Sequence, residues 1–372
     1  MIRVYLREYY FLALGIFLSL FFSSAIYAAE FFNANKNLNP SQDGLPPPLT
    51  KPLKVNVCFF DIQGKNGDFY SRAKDLVLIA RRWNVFIDLI VFNDSRKATE
   101  SFKAEQCDAA AIPTAQARQF NLFMGSVEAV GGIENHQQLQ LLMKTLLDPK
   151  VIPLTITEPF QILGIQPIGA NYIHVHDKNI NTIEEIVGKK MAVLDWDKIE
   201  TIMAQKIGMQ PVASTLSSFV TKFNNNQVDI IEAPAIVYRP FELNRGLGES
   251  GGIFRLPINQ MMASLVINRQ LIRNKLPDLD EKLLMFRSIS VDFMNQMLGQ
   301  IYSTIEKAEA DIPAKYWISF DASNEENYWK VLRNVRIEIT KEGDYDPRMT
   351  ALLKRIRCKN KPEKEECKLN DE

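Results

Sequence analysis

The sequence has few of the residues and motifs on which catalysis and metal binding usually depend. It contains three histidines and four cysteines in 372 residues, and it has neither a Walker phosphate-binding loop nor a Cys-x-x-Cys pair. No nucleophile paired with a base is visible in the sequence. We therefore expect that the protein is not an enzyme and that it needs no cofactor.

Net charge is also missing, and so are long apolar runs beyond the N-terminal region. The 44 lysines and arginines equal the 44 aspartates and glutamates in number. A balanced chain has no electrostatic footprint for nucleic acid, so we expect no nucleic-acid partner. No later apolar run reaches the ~20 residues that a membrane-spanning helix requires.

The N-terminal residues have the order of a secretory signal peptide. Two arginines precede an apolar run over 9–22, and small residues follow over 23–29. This order predicts a cleavable signal peptide over 1–28 and export to the periplasm. An uncleaved anchor is the alternative, although the run is shorter than the ~20 residues that span a bilayer. The first cysteine is Cys58, so we expect no lipid anchor near the cleavage site.

The two ends of the exported chain have compositions unlike that of a folded core. Residues 29–53 are rich in asparagine and proline, which predicts a disordered tether. The mixed-charge tail over 358–372 is also expected to be loose. About 300 residues remain between them, which is too many for one simple core, so we expect two lobes.

The four cysteines are even in number, as in a protein with disulfides. Cys358 and Cys367 are close in sequence, and an oxidising compartment would let them pair. Cys58 and Cys107 are candidates for a second disulfide. The sequence leaves that pair open, because the two predicted strands could be neighbours but their register offsets the cysteines.

Two other patterns resemble sites at first reading. His174 and His176 alternate on a predicted strand, but two histidines are too few to indicate a zinc site, and we expect no metal. The glycine-rich segment 246–252 lacks the preceding strand and the following helix of a dinucleotide-binding motif. We interpret this segment as a connection between lobes.

The stretch over 188–234 alternates short apolar strands with helices. This alternation predicts βαβ units around a parallel sheet. Ligands of such sheets bind beyond the carboxyl ends of the strands, which here are 194–196 and 232–234. These ends carry acidic and aromatic side chains without a catalytic arrangement, so the segment indicates a small-molecule binding module.

The remaining chain predicts a second αβ lobe and the strands that join the two. Strand, helix, strand, helix and strand follow one another from 54 to 113, and a long extended stretch over 253–268 would carry the chain back between lobes. Long amphipathic helices follow residue 280. Lobe I is predicted over 54–158 with 253–357, and lobe II over 159–252.

Three parts of the sequence together carry a family resemblance. They are 162–169 followed by 181–190, the helix and Asp-x-x-Glu-x-Pro strand end over 218–234, and the strand over 106–113. In order and spacing they resemble the periplasmic solute-binding proteins of TRAP transporters, the dicarboxylate-binding type. The resemblance covers roughly residues 54 to 300. It implies an α/β two-lobe periplasmic-binding-protein fold, each lobe an αβ sandwich, with crossing strands and long C-terminal helices.

The ligand-binding arginines of that family are missing from the matching positions. The arginine that pairs with a ligand carboxylate corresponds to Ala192. A second family arginine follows the glycine that matches Gly169, where this chain has Ala170 and Asn171. A buried carboxylate without a cation is costly, which argues against a simple carboxylate ligand.

Acidic and aromatic side chains stand at the predicted strand ends instead. Carboxylates beside aromatic faces suit a cationic or amine-bearing ligand, and this is our hypothesis. The alternatives are that Asp195 caps a helix beginning near Lys198, that Trp196 packs against that helix, and that Glu232 pairs with Arg239. The predicted ligand-binding residues are Asp61, Gln63, Pro113, Thr114, Asn171, Tyr172, Asp195, Trp196, Glu232 and Tyr238.

The sequence thus favours an exported protein that captures a small solute in a cleft between lobes and delivers it to a TRAP-type transporter in the inner membrane. The alternative is an accessory periplasmic component of an efflux or envelope-stress system that reuses the binding-protein fold. The missing arginines keep this alternative open. The sequence gives no indication of the oligomeric state.

Overall fold

The computed structural model describes residues 45–372, apart from the side chains of Ser288, Phe293 and Asn360. The predicted signal peptide and the first part of the predicted tether lie outside the described residues. The strands are β1 (Leu53–Phe60), β2 (Val85–Phe92), β3 (Ala109–Pro113), β4 (Ile156–Thr157), β5 (Phe160–Val175), β6 (Lys190–Leu194), β7 (Gln210–Ser214), β8 (Ile230–Pro234), β9 (Gly252–Asn268) and β10 (Trp317–Ile318).

The α-helices vary widely in length. They are α1 (Asp68–Ala80), α2 (Ser95–Lys103), α3 (Thr114–Ala117), α4 (Leu122–Gly125), α5 (His136–Leu146), α6 (Lys198–Ile207), α7 (Leu216–Asn224), α8 (Leu243–Leu247), α9 (Arg269–Lys275), α10 (Leu279–Ala310), α11 (Ala322–Lys341) and α12 (Pro347–Asn360). Within residues 45–372, none of them combines the length and the apolar character that a membrane span requires.

Two long strands, β5 and β9, lie at the centre of the sheet. We call β2, β1 and β3 on one side of them the first half of the sheet, and β8, β6 and β7 on the other side the second half. The strand order is β2-β1-β3-β9-β5-β8-β6-β7, with β4 paired to β5 and β10 paired to β9. Strands β5 and β9 are antiparallel, from the Phe160–Asn268 pair to the Val175–Gly252 pair. The sequence predicted separate strands in the β5 region. The structure has one strand of 16 residues, because register shifts let it bend without ending.

Short polar residues cap the starts of several helices. The side chains of Asp94, Asn135 and Asp197 accept backbone N–H groups at the starts of α2, α5 and α6. These caps satisfy N–H groups that have no partner inside the helix. Strands β6, β7 and β8 alternate with α6 and α7, and β6 is parallel to both other strands. The predicted βαβ units are therefore confirmed.

Different apolar clusters cover the two faces of the second half of the sheet. One face belongs to the core that includes Met191 and Ile230 together with side chains of α6. The other face belongs to the core that includes Ala192 and Ile231 together with side chains of α7. Successive strand residues point to opposite faces. Glu232 of β8 therefore lies on the face of Ile230, which α6 covers.

The chain divides into two compact units. Their described residues are 45–53 with 74–86 for the smaller unit, and 54–73 with 87–372 for the larger unit. In the smaller unit Leu49 is buried, and the indole N–H of Trp83 donates to the Pro46 carbonyl oxygen at 2.9 Å. The tether predicted to extend to residue 53 is therefore packed at Pro46 and Leu49.

Both predicted disulfides are present. Cys358 is bonded to Cys367, and Cys58 of β1 is bonded to Cys107, which lies two residues before β3. The second pair, which the sequence left open, forms because β1 and β3 are adjacent parallel strands. This adjacency brings the Cα atoms of Cys58 and Cys107 to 5.7 Å.

The C-terminal tail over 358–372 is packed rather than loose. Arg336 of α11 and Arg357 of α12 are fully buried, and glutamates of the tail form ion pairs with both. Both guanidinium groups also donate to carbonyl oxygens of the segment over 130–132, at 2.7 and 2.9 Å. The mixed charge of the tail could not reveal that its partners are buried arginines. We call Arg336, Arg357, Glu366 and Glu372 the arginine cluster.

Candidate functional site

Four carboxylates and one arginine lie together in the larger unit. The charge of Glu232 interacts with those of Glu128, Asp197 and Glu200, and Arg118 forms an ion pair with Asp197. Glu128 and Glu200 are buried, and the side chains of Arg118 and Asp197 are only 13% and 15% exposed. We call these five residues the acidic cluster. Negative groups thus outnumber positive groups in a region with little solvent.

The turn from β6 into α6 places two of these carboxylates. Asp197 Oδ1 accepts the N–H groups of Ile199 and Glu200 at 2.9 and 3.1 Å. Glu200 Oε2 accepts the N–H of Leu194 at 2.6 Å, which folds the first turn of the helix back onto the strand. Because β6 and β8 are parallel, their carboxyl ends meet at one edge of the sheet. Asp197 and Glu200 therefore lie beside Glu232.

The arginine of the cluster comes from the other half of the sheet. Arg118 directly follows α3, and its Nε–H donates to the Gly125 carbonyl oxygen at 3.0 Å. Its guanidinium carbon lies 5.7 Å from the centre of the Tyr345 ring, and its Nη1 lies 3.8 Å from Asp197. A Cβ atom at Gly125 would lie 2.4 Å from the Arg118 Cα atom. Only glycine at position 125 therefore allows this placement of Arg118.

Glu128 is anchored to a central strand. It ends the short 3-10 helix over Ser126–Glu128, and its Oε1 accepts the N–H of Met262 of β9 at 2.6 Å. A hydrogen bond from the backbone stabilises the ionised form of a carboxyl group. This contact holds the Glu128 side chain against β9, one of the two central strands.

Glu232 is the carboxylate with spare hydrogen-bonding capacity. The side chain of Asn259 forms a hydrogen bond with Glu232, and Asn171 Nδ2 donates to Asn259 Oδ1 at 3.0 Å. Among the described residues, neither Glu232 Oε2 nor Asn171 Oδ1 has a hydrogen-bond partner, although both atoms are sealed from solvent. These two oxygens are acceptors without donors, which is costly in a protein interior.

The environment of the cluster favours protonated carboxyl groups. Burial raises the pKa of Glu128 to about 8, and the charge of Asp197 adds to the rise, whereas Arg118 and the Met262 N–H oppose it. Burial also raises the pKa of Glu232 and of Glu200, and in each case neighbouring carboxylates act in the same direction. Like charges that share a buried site usually respond in this way.

A protonated amine would supply what the acidic cluster lacks. It carries a positive charge and N–H donors, but no acceptor. Its N–H groups could satisfy Glu232 Oε2, and its charge would offset the excess of carboxylates. An anionic group would instead meet four carboxylates and one arginine, and that arginine is already paired with Asp197.

Asp195, two residues before the capping position, lies apart from this cluster. Its carboxylate forms an ion pair with Arg96 of α2 at 3.2 Å, and both side chains are partly exposed. Helix α6 does begin at Lys198, but Asp197 caps it, so the alternative role of Asp195 as its cap is wrong. Trp196 is partly buried in the same turn.

The alternative pairing of Glu232 with Arg239 is also wrong. Arg239 forms an ion pair with Asp311 at 3.3 Å, with both side chains largely exposed. Glu232 instead faces inward, beside Asn259. Of the predicted ligand-binding residues, the structure brings Asn171 and Glu232 to the acidic cluster.

Asp61 organises the loop that follows β1. Its two carboxylate oxygens accept the N–H groups of Gln63 and Tyr70, both at 2.9 Å. A Cβ atom at Gly67 would lie 1.9 Å from Asp61 Oδ1, so this loop requires glycine there. Asp61 is buried and Gln63 is exposed. The geometry gives Asp61 a structural role in its own loop.

Pro113 and Thr114 lie where β3 passes into α3. Pro113 pairs with Ala263 of β9. The Thr114 hydroxyl shares a hydrogen bond of 2.7 Å with the Ser264 hydroxyl, and both side chains are buried. These contacts hold the end of β3 against β9, four residues before Arg118.

The two predicted tyrosines lie in the second apolar core, on the face opposite Glu232. The Tyr172 hydroxyl donates to Glu309 at 2.7 Å, and Tyr172 lines a cavity of about 550 Å³ together with Arg255 and Trp317. The ring of Tyr238 lies 6.4 Å from that of Tyr316. Neither tyrosine is shown in contact with the acidic cluster.

The histidines and the glycine-rich segment show no catalytic geometry. Burial lowers the pKa of His174 to about 4, and its Nδ1 lies 2.8 Å from the Tyr172 carbonyl oxygen. Residues 248–252 read Gly-Glu-Ser-Gly-Gly, a Gly-x-Ser-x-Gly pattern. However, the Ser250 hydroxyl donates to the carbonyl oxygen of His176 and not to its ring. The pattern also precedes a strand, whereas a nucleophile elbow joins a strand to a helix.

Four members of the acidic cluster were missed by the sequence prediction. The sequence analysis considered Asp195 and not Asp197 as the cap of the following helix, although Asp197 and Glu200 have the spacing of a helix-capping pattern. Arg118 and Glu128 come from the segment after α3, where no motif marks them. Ala192, which matches the missing family arginine, is fully buried in the apolar core beside α7. Its position therefore contributes no charge to the cluster.

Comparison with known proteins identifies similar chains. The family described as "Solute-binding protein AdeT 1/2" matches residues 78–372. The probable solute-binding protein AdeT1 of Acinetobacter baumannii is 37% identical over 313 residues, which is 84% of this chain and all of that protein.

Two solved structures share the fold at low sequence identity. Both are TRAP periplasmic solute-binding proteins. One, from Ralstonia eutropha H16 with bound (S)-2-acetolactate, has a TM-score of 0.65 at 13% identity and covers 84% of this chain and 99% of its own. The other, from Haemophilus influenzae RdAW with bound L-gulonate, has a TM-score of 0.65 at 11% identity and covers 82% of this chain and 100% of its own. The predicted α/β two-lobe fold is thereby confirmed. The lobe boundaries stay a prediction.

Proposed function

Because the chain belongs to the AdeT 1/2 family of solute-binding proteins, we propose that it binds a cationic, amine-bearing solute at the acidic cluster. A binding protein of this family captures a small molecule and is not an enzyme. The proposal retains Asn171 and Glu232 from the sequence prediction. Among the proposed binding residues, Asp197 takes the place that the sequence prediction gave to Asp195. Glu128 and Glu200 are added as carboxylates that surround the solute charge.

The observation that carries the proposal is the unpartnered oxygen of Glu232 inside an excess of carboxylates. Glu232 Oε2 and Asn171 Oδ1 are both buried without donors among the described residues. The Ralstonia and Haemophilus proteins hold organic acids, and a carboxylate is best recognised by a guanidinium group. This chain has Ala192 at the matching arginine position, and Arg118 is engaged by Asp197.

Entry of a solute requires the two halves of the sheet to separate near the cluster. Arg118 and Arg96, from the first half, form ion pairs with Asp197 and Asp195, which follow β6. Hinge motion about shared strands is a common way to open such a site. We propose that opening breaks these two ion pairs and that closure over the solute restores them.

We also propose that the mature protein resides in the periplasm. Two disulfides are typical of an oxidising compartment, and the N-terminal sequence predicts export. Delivery of the solute to a membrane transporter is part of the same proposal. An accumulation assay with a labelled amine tests the direction of transport. Lower accumulation after gene deletion supports uptake, whereas higher accumulation favours the efflux alternative.

Binding itself is tested by calorimetry on the mature protein with putrescine, spermidine and ethanolamine, and with succinate and L-gulonate as acids. We expect an amine to bind and the acids not to bind. The Glu232→Gln variant should weaken amine binding by about tenfold to a hundredfold, because a hydrogen bond to a charged group contributes about 1.5 to 3 kcal/mol.

The matched control is Glu249→Gln, which makes the same change at a side chain that is 94% exposed. This variant should bind amines like the unmodified protein. Tight binding of succinate or L-gulonate without amine binding would refute the proposal. Amine binding that Glu232→Gln leaves unchanged would place the site elsewhere.

A further inference from the structure

The number of charges in the acidic cluster limits how many of its carboxyl groups can be ionised together. Glu128, Asp197, Glu200 and Glu232 could carry four negative charges, and Arg118 supplies one positive charge. Burying unpaired charge is very costly, so buried acids without a counter-ion take up protons. The geometry therefore requires bound protons whenever the closed cluster contains no further cation.

Within residues 45–372, the other groups shown to face the cluster supply no additional cation. Tyr328 of α11 faces Glu232, and Tyr345 faces Arg118, Glu128 and Asp197. Burial raises the pKa of Tyr345 to about 12 and raises that of Tyr328 as well, so both hydroxyl groups are neutral near pH 7. The amide of Asn259 and the Met262 N–H also contact the cluster, and neither carries a charge.

Glu128 and Glu232 are carboxyl groups of the cluster that can exchange a proton. Asp197 is already bound by Arg118 and by two backbone N–H groups. Glu128 and Glu200 each have one backbone donor, and among the described residues Glu232 has an oxygen without a partner. The raised pKa of Glu128, about 8, agrees with a proton that is held at neutral pH.

We propose that the acidic cluster exchanges its bound protons for the cationic group of the solute, so that binding releases protons to the solvent. The inference rests on the proposed function and adds the chemistry by which the site changes between its empty and filled states. Each proton leaves a carboxyl group of Glu128 or Glu232 for the buffer. The resulting carboxylate then pairs with the ammonium group, so the total charge of the site changes little.

Calorimetry with putrescine in two buffers of different ionisation enthalpy measures the protons released. At pH 6.5 we expect about one to two protons to be released per putrescine bound. As the pH rises, the Kd for putrescine should fall about tenfold per pH unit for each proton exchanged. The Glu128→Gln variant should release one proton fewer. Glu249→Gln should behave like the unmodified protein.

A second measurement needs no solute. An acid whose pKa is raised from 4.5 to about 8 in the folded state stabilises the protein fully below the lower value. That stabilisation is lost as pH rises toward the upper value. From about pH 5 to about pH 8, the Tm of the unmodified protein should therefore fall by roughly 5 °C more than that of Glu128→Gln.

The outcomes separate the two proposals. Putrescine binding without proton release overturns the exchange and leaves the amine site standing. Absence of binding by any amine refutes the proposed function and the exchange with it. Equal pH dependence of Tm in the unmodified protein and in Glu128→Gln would show that Glu128 holds no proton and would also overturn the exchange.

Discussion

The acidic cluster and the arginine cluster are both buried groups of charges, but their composition differs. The arginine cluster has two guanidinium groups and two carboxylates, and Arg357 alone donates to Glu366, Glu372 and the Gly132 carbonyl oxygen at 2.9 to 3.1 Å. The acidic cluster has four carboxylates for one arginine, and Glu232 Oε2 has no donor among the described residues.

The difference indicates which cluster serves structure and which is suited to a ligand. A balanced and fully hydrogen-bonded group of charges gains nothing from a further molecule. An unbalanced group, with buried acceptors to spare, becomes more stable when a cation enters. The disulfide between Cys358 and Cys367 ties the tail of the arginine cluster to α12, whereas parts of the acidic cluster come from both halves of the sheet.

The largest effect is expected from breaking the balanced cluster. Arg357→Met leaves the carboxylates of Glu366 and Glu372 buried with one cation fewer, and such a change typically costs about 3 to 5 kcal/mol. Urea unfolding measures the loss. The control is Arg348→Met, whose guanidinium pairs with Asp346 but is 60% exposed, and which should cost at most about 1 kcal/mol. Equal costs for both variants would contradict the structural role of the arginine cluster.

Removing the covalent tie should have the next largest effect. Replacing Cys358 and Cys367 by serine opens a loop with a sequence separation of nine residues. A loop of this size is expected to contribute about 2 to 3 kcal/mol. The variant is compared with the unmodified protein under oxidising conditions by urea unfolding. An unchanged midpoint would mean that the ion pairs hold the tail without the disulfide.

In the acidic cluster, a substitution that removes one ionisable group, as Arg357→Met does in the arginine cluster, should hardly change the free energy of unfolding. Because the pKa of Glu232 is raised by burial and by neighbouring carboxylates, the group behaves near neutral pH as a neutral acid, which glutamine resembles in shape and charge. Glu232→Gln should therefore change the free energy of unfolding at pH 7 by less than about 1 kcal/mol, while weakening amine binding. A loss comparable to that of Arg357→Met would mean that Glu232 is a structural ion.

The smallest effect is expected at the exposed ion pair beside the acidic cluster. A double-mutant cycle with Arg96→Ala and Asp195→Ala should give a coupling of about 0.2 to 1 kcal/mol, as for other solvent-exposed pairs. High salt should reduce this coupling further. A coupling above about 2 kcal/mol would show that the pair contributes strongly to closure, and that Asp195 matters more than its exposure indicates.

The sequence predicted the elements of the fold better than the site. The βαβ segment over 188–234 was predicted because hydrophobic periodicity and glycine or proline breaks are local signals. The length of β5 was not, because bulges within a strand resemble strand ends in the sequence. For the proposed site, the strand-end rule pointed to Glu232 and Asp195 and did not consider Asp197. A shift of two residues within one turn decides whether a carboxylate meets Arg96 or Arg118.

Length, composition, strand and helix periodicity and cysteine number are properties of the chain, and they determined the α/β class, the likeness to binding proteins and the candidates for disulfide bonding. The tertiary structure decided which charges meet. Arg118, Glu128 and Glu232 are brought together by pairing across central strands, and the same is true of the buried contact between Arg357 and Glu372. Burial and electrostatic balance depend on neighbours that are distant in sequence, so no local pattern could reveal them.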